Sequence, residues 1–174
     1  MKKRLHQAGF TLIELLMYVA IFSTMIGGVV ALAGVTQAQK VSSQVAADVN
    51  YQGEAVMALL TQTIRQASSI TSPTAGNSSG SLSLAMAASS VNPTVFSSYN
   101  DSITSRLQVQ EGAATIQNNL TNAHVSVSSL SFSNKSLPST KGSVLVSFTL
   151  TYKTTSSRQE FNFSKTFYGA ATIP

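Results

Sequence analysis

The sequence predicts an α+β chain: one long N-terminal helix, membrane-spanning in its first half and amphipathic in its second, packed on a C-terminal antiparallel β-sheet. Three patterns carry that prediction. Leu15 to Val35 is a run of 21 residues without a charged side chain, about 31 Å long as a helix, which matches the hydrocarbon thickness of a bilayer. From Val41 to Ala67 apolar residues recur mostly three or four apart, the spacing of a one-sided helix. Beyond residue 80, short runs alternate apolar and hydroxyl side chains with the period of a half-buried strand.

Composition bounds the rest. At 174 residues the chain has room for one modest core plus a membrane segment. The net charge is +5, but Lys2, Lys3 and Arg4 hold three of the eleven cations and the remainder are scattered singly, whereas a nucleic-acid footprint clusters them on one face. Cysteine is absent and the two histidines, His6 and His124, are far apart. No disulfide framework, thiolate centre or His-based metal cluster can be built from this set. No catalytic residue, cofactor or metal site is therefore expected, and the chain does not read as an enzyme.

The first element is a basic head, Lys2 to Gly9, followed by the apolar segment. Lysines and arginine on the short side put the N-terminus in the cytoplasm and the remainder outside. A cleaved secretory signal has an apolar core of roughly 7–15 residues and a small-x-small cleavage site; here the apolar run is longer and its small residues do not close it. A single-pass anchor accounts for length and flanks but not for Glu14, the one charge between Phe10 and Val35. A carboxylate in the apolar phase costs on the order of 2.5–3.5 kcal/mol even on lenient insertion scales, and calls for a partner or a task.

The run Gly9-Phe10-Thr11-Leu12-Ile13-Glu14, behind a short basic leader and ahead of an apolar stretch, resembles the prepilin peptidase motif of type IV pilins and type II secretion pseudopilins. The resemblance implies cleavage between Gly9 and Phe10, N-methylation of Phe10, and an assembly role for Glu14. In a filament, the Glu14 carboxylate of one subunit would pair with the Phe10 amine of its neighbour, neutralising two groups costly to bury alone and penalising a wrong stagger. The implied segments are a leader at 1–9, a transmembrane and filament-core helix at 10–35, an amphipathic continuation at 36–69 and an antiparallel head at 70–174. The implied partners are prepilin peptidase, other pilin or pseudopilin subunits, an inner-membrane assembly platform and membrane lipid. The implied location is the inner membrane, or outside the cytoplasm once in a filament. Many pilins carry a proline midway along this helix; here Gly27 and Gly28 occupy that stretch, either as a local weakness of about 1 kcal/mol each or as a close-approach surface for neighbouring helices.

Past the membrane, Val41, Val45, Val49, Val56, Leu59, Leu60, Ile64 and Ala67 form the expected stripe, interrupted at Gln52 and Gly53. An independent coiled-coil stalk would need a more regular seam. Ser68 to Gly80, SSITSPTAGNSSG, reads as a loop. Strand patterns follow at Leu82 to Met86, at Val125 to Phe132 with a slip at Ser128-Ser129, at Val144 to Tyr152, and around Phe161, Phe163 and Phe167. The aromatic run fits a core better than a sticky surface. The disulfide-closed loop and the calcium site known among pilin-like heads cannot be placed, since cysteine is absent and the acids after residue 70 (Asp101, Glu111, Glu160) are widely spaced.

The leading reading is a pilin-like structural subunit, minor more than major, of a type IV pilus, competence pilus or type II secretion pseudopilus. Two others stand beside it. In one, the filament-borne head binds DNA or a surface, which for nucleic acid requires Arg106, Lys135, Lys141, Lys153, Arg158 and Lys165 to converge. In the other, the chain is an uncleaved single-pass anchor carrying a β-domain.

Overall fold

The computed structural model describes residues 10–101, 104–113, 118–137, 142–156 and 158–174. By internal contacts the chain divides into two units, Met1–Lys40 and Val41–Pro174. A single helix, α1, runs from Leu12 to Gln66 and contributes to both.

In the first unit α1 starts at Thr11, whose carbonyl accepts the Glu14 and Leu15 N–H groups at 3.1 and 3.2 Å. It is α-helical through Gly27 and Gly28. A Cβ placed on either glycine would meet nothing within 4 Å. Two threonine hydroxyls of this stretch are bonded within the helix: Thr24 donates to the Ile21 carbonyl at 2.8 Å and Thr36 to that of Leu32 at 2.9 Å. That arrangement leaves little polar surface for lipid to accommodate.

In the second unit the same helix buries one stripe: Val45, Val49, Gln52, Gly53, Val56, Leu60 and Ile64. Gln52 and Gly53, read from the sequence as a gap, belong to the stripe. Gln52 Oε1 accepts the Asn122 N–H at 3.0 Å, while its Nε2 donates to Asp48 Oδ1 at 3.0 Å, so both ends of a buried amide have a partner. Gly53 is needed for its lack of a side chain, because a Cβ there would enter the Phe167 ring. Leu59, placed on the stripe by spacing, lies at its edge and is 39% exposed.

Among the described residues nine strands follow: β1 (Ser69–Ser72), β2 (Ser78–Ser79), β3 (Leu82–Ala85), β4 (Thr94–Asn100), β5 (Ser105–Glu111), β6 (Asn118–Asn119), β7 (Val125–Asn134), β8 (Ser143–Tyr152) and β9 (Ser164–Thr172). All pairings are antiparallel. They form two sheets where the alternation suggested one: β1-β3-β4-β5-β6 and β2-β7-β8-β9. The expected loop at 68–80 holds β1 and β2; these short hydroxyl-rich strands pair through backbone and bury too little apolar surface to alternate visibly. Phe161 and Phe163 precede β9 instead of lying on it, in and just after a 3-10 turn, Gln159–Phe161.

Both sheets and the helix share one core. Leu60 and Ile64 of α1, Leu82, Leu84, Phe96 and Leu107 of the five-stranded sheet, and Val125, Phe132, Phe148 and Leu150 of the four-stranded sheet are fully buried. The helix follows β9 closely. Lys165 Nζ donates to Asn50 Oδ1 at 2.6 Å and lies 5.1 Å over the Phe167 ring. That ring stacks on Phe148 at 5.4 Å and fills the space left by Gly53, and Met57 covers Gly169.

Candidate assembly and processing segment

Gly9 and the rest of the leader lie outside the described residues; Phe10 is the first residue described. Phe10 precedes the helix, is 70% exposed, and its ring stands 5.8 Å from that of Tyr18. Thr11 is the N-cap: its Oγ1 faces the Glu14 N–H at 3.4 Å. Glu14 is therefore the third residue of the helix, and Thr-x-x-Glu at that position is the pattern of a capping box. Sequence reasoning had assigned Glu14 by motif alone; the three-residue spacing to Thr11 was the signal for this local role.

The Glu14 side chain is exposed and, among the described residues, makes no ion pair. Around and beyond it the surface is apolar on every side. Leu12 is 77% exposed, Phe22 65%, Met25 69% and Leu32 71%. Such a helix is soluble only in an apolar surround. Length and composition suit a bilayer crossing, and a carboxylate one turn inside the helix start is the polar exception within it.

The head holds no comparable concentration of chemistry. No group of three or more His, Asp or Glu side chains comes together among the described residues. Among the described cations named for nucleic-acid binding, Lys135 and Lys153 lie at opposite ends of one strand pair. Lys135 follows Asn134 at one end of the β7–β8 pair and Lys153 follows Tyr152 at the other, where Tyr152 opposes Val125, a separation of about 30 Å along the strands. Arg158 binds Glu160 at 2.6 Å, Arg106 lies 3.8 Å from Asp101, and Lys165 is engaged with Asn50. Lys141 is outside the described residues.

A basic N-terminal stretch in the sequence, a capped apolar helix with one early glutamate, and a head folded onto that helix's second half occur together in one chain. Residues 4–30 match the family model described as a prokaryotic N-terminal methylation motif, so this segment is similar to the N-termini of type IV pilin-like precursors. No curated protein and no solved structure matches it.

Proposed function

We propose that the chain is a structural subunit of a type IV pilus, competence pilus or type II secretion pseudopilus, cut between Gly9 and Phe10 by prepilin peptidase and methylated on the Phe10 amine. The observation that carries this reading is the methylation motif set at the start of a 55-residue helix whose first part is apolar all round and whose second part packs into a folded head. The subunit waits in the inner membrane with its N-terminus cytoplasmic, and assembly transfers the segment 10–35 from lipid to other subunits.

Glu14 has the assembly role. In bilayer its cost is reduced by its place at the helix start, where the positive end of the helix dipole lies close to it. In the filament core it meets the methylated amine of a neighbouring Phe10, and the pair excludes misregistered packing because either charge left alone is penalised. The platform and sister subunits are the partners. The head, residues 70–174, stands outside the filament core.

The test uses the lack of native cysteine, which lets single cysteines be placed near Phe10 and near Glu14 without background. Expression with a complete assembly system should yield the chain in sheared filaments, with disulfide-linked dimers between the two positions. Recovery of the chain only in the membrane fraction would defeat the proposal.

A further inference from the structure

Phe10 lies outside α1, which begins at Leu12, and yet its side chain has a partner. Its ring stands 5.8 Å from that of Tyr18, tilted by 53°, inside the separation that favours aromatic pairs and away from the face-to-face sandwich. Long side chains on a helix lean toward its N-terminus, which lets Tyr18, the seventh helical residue, meet a ring that precedes the first turn. A residue just ahead of an N-cap commonly packs on the fourth residue of its helix and so fixes the angle at which the chain enters. Phe10 and Tyr18 make a clasp of this kind about one turn further on. Phe22, the aromatic one turn beyond Tyr18, forms no such ring pair among the described residues. At the same boundary Thr11 caps the helix, its carbonyl accepting the Glu14 and Leu15 N–H groups and its Oγ1 facing that of Glu14. Two devices thus hold Phe10 and Thr11 outside the helix, one in the backbone and one in the side chains.

We infer that Tyr18 is a positioning residue for cleavage of the Gly9–Phe10 bond, holding Phe10 clear of the helix so that the peptidase meets an extended segment. The inference rests on the proposed maturation at that bond. A peptide group inside a helix has its N–H and carbonyl committed to neighbouring turns, whereas proteolysis concentrates where the backbone is exposed and irregular. By composition the leader would let a helix run on upstream: Lys2, Lys3, Arg4, Leu5, Gln7 and Ala8 are good helix formers, and Gly9 alone is strongly unfavourable. What opposes that extension lies on the mature side of the bond, in Thr11 and in the Phe10–Tyr18 clasp. Chains with the clasp open divide their time between a cleavable start and a helix run through it, and apparent affinity for the peptidase falls with the cleavable fraction. The bond-breaking step is untouched. The contact is made by the ring, so the Tyr18 hydroxyl is dispensable.

The test is processing of the full chain in detergent micelles by purified prepilin peptidase, with initial rates read from intact mass over a range of chain concentrations. Tyr18→Leu keeps an apolar, helix-favouring side chain and removes the ring. It should raise KM about three- to tenfold, the size of one aromatic pair, and leave kcat unchanged. Tyr18→Phe should restore the parent KM, and Phe22→Leu, the same kind of change away from the clasp, should match the parent. A Tyr18→Leu variant cut like the parent, or impaired in kcat alone, overturns the inference. So does a Tyr18→Phe variant as poor as Tyr18→Leu, or a Phe22→Leu variant that is equally impaired. A parent chain left uncut by an active peptidase defeats the maturation reading itself, and the inference with it.

Discussion

Val29 and Val49 lie on the same helix, yet Val29 is 60% exposed and Val49 is fully buried. Through residue 35 the apolar side chains point in every direction, while from Val45 to Ile64 they occupy one stripe whose partners are Phe148, Phe167 and the other core residues of the chain. The difference lies in where the partner comes from. The second half finds its apolar complement within the same chain; the first half must be given one from outside it, which in the proposed function is lipid and then other subunits. Polar exceptions follow the same division. Gln52, on the buried stripe, is satisfied by Asn122 and Asp48 of its own chain, whereas Glu14 makes no ion pair among the described residues.

If that division is right, substitutions in the two halves should separate into two phenotypes. The largest effect is expected at Glu14. Glu14→Ala should leave cleavage by prepilin peptidase and the thermal unfolding of the head intact, and abolish recovery in sheared filaments. Loss of head stability in this variant would join the two halves and break the comparison.

Next comes the buried stripe. Leu60→Ala should cost about 2–5 kcal/mol of head stability in denaturant unfolding, whereas Leu16→Ala, at a position 55% exposed, should leave that transition unmoved. Gly53→Ala sharpens the point. In a solvated helix the change would be favourable by up to about 1 kcal/mol, but here the added methyl enters the Phe167 ring, and overpacking should destabilise the head by about 1–3 kcal/mol. The smallest effect is at Lys165→Met, which removes the bond to Asn50 but keeps the stem over Phe167. A loss of about 0.5–1.5 kcal/mol is expected, the net worth of one hydrogen bond.

The sequence was most legible where one residue violates its surroundings or where a pattern is long. Glu14 and the residues before it announced the methylation motif, and the periodicity of 41–67 announced a helix packed on a sheet. The slip at Ser128-Ser129 in the second strand pattern is a β-bulge: register shifts between Ser128 and Ser131, and Ser129 has a φ of 53°. Elsewhere the signal was too dilute. On β5 the buried apolar residues are only Leu107 and Val109, while Arg106 and Gln108 alternate with them, so no strand pattern stood out there. The division into two sheets depends on which strands hydrogen-bond, which alternation does not encode. Gln52 and Gly53 looked like a defect because their value lies in partners distant in sequence, Asn122 and Phe167.

The measurement closest to the central claim, that residues from Phe10 onward are matured for transfer from lipid into a subunit assembly, is the intact mass and N-terminal sequence of the membrane-extracted chain. It should be expressed with and without a prepilin peptidase. The account predicts a chain beginning at N-methylated Phe10 when the peptidase is present and an intact leader when it is absent. Retention of Met1 to Gly9 in the presence of an active peptidase would contradict it and leave a membrane-anchored β-domain in its place.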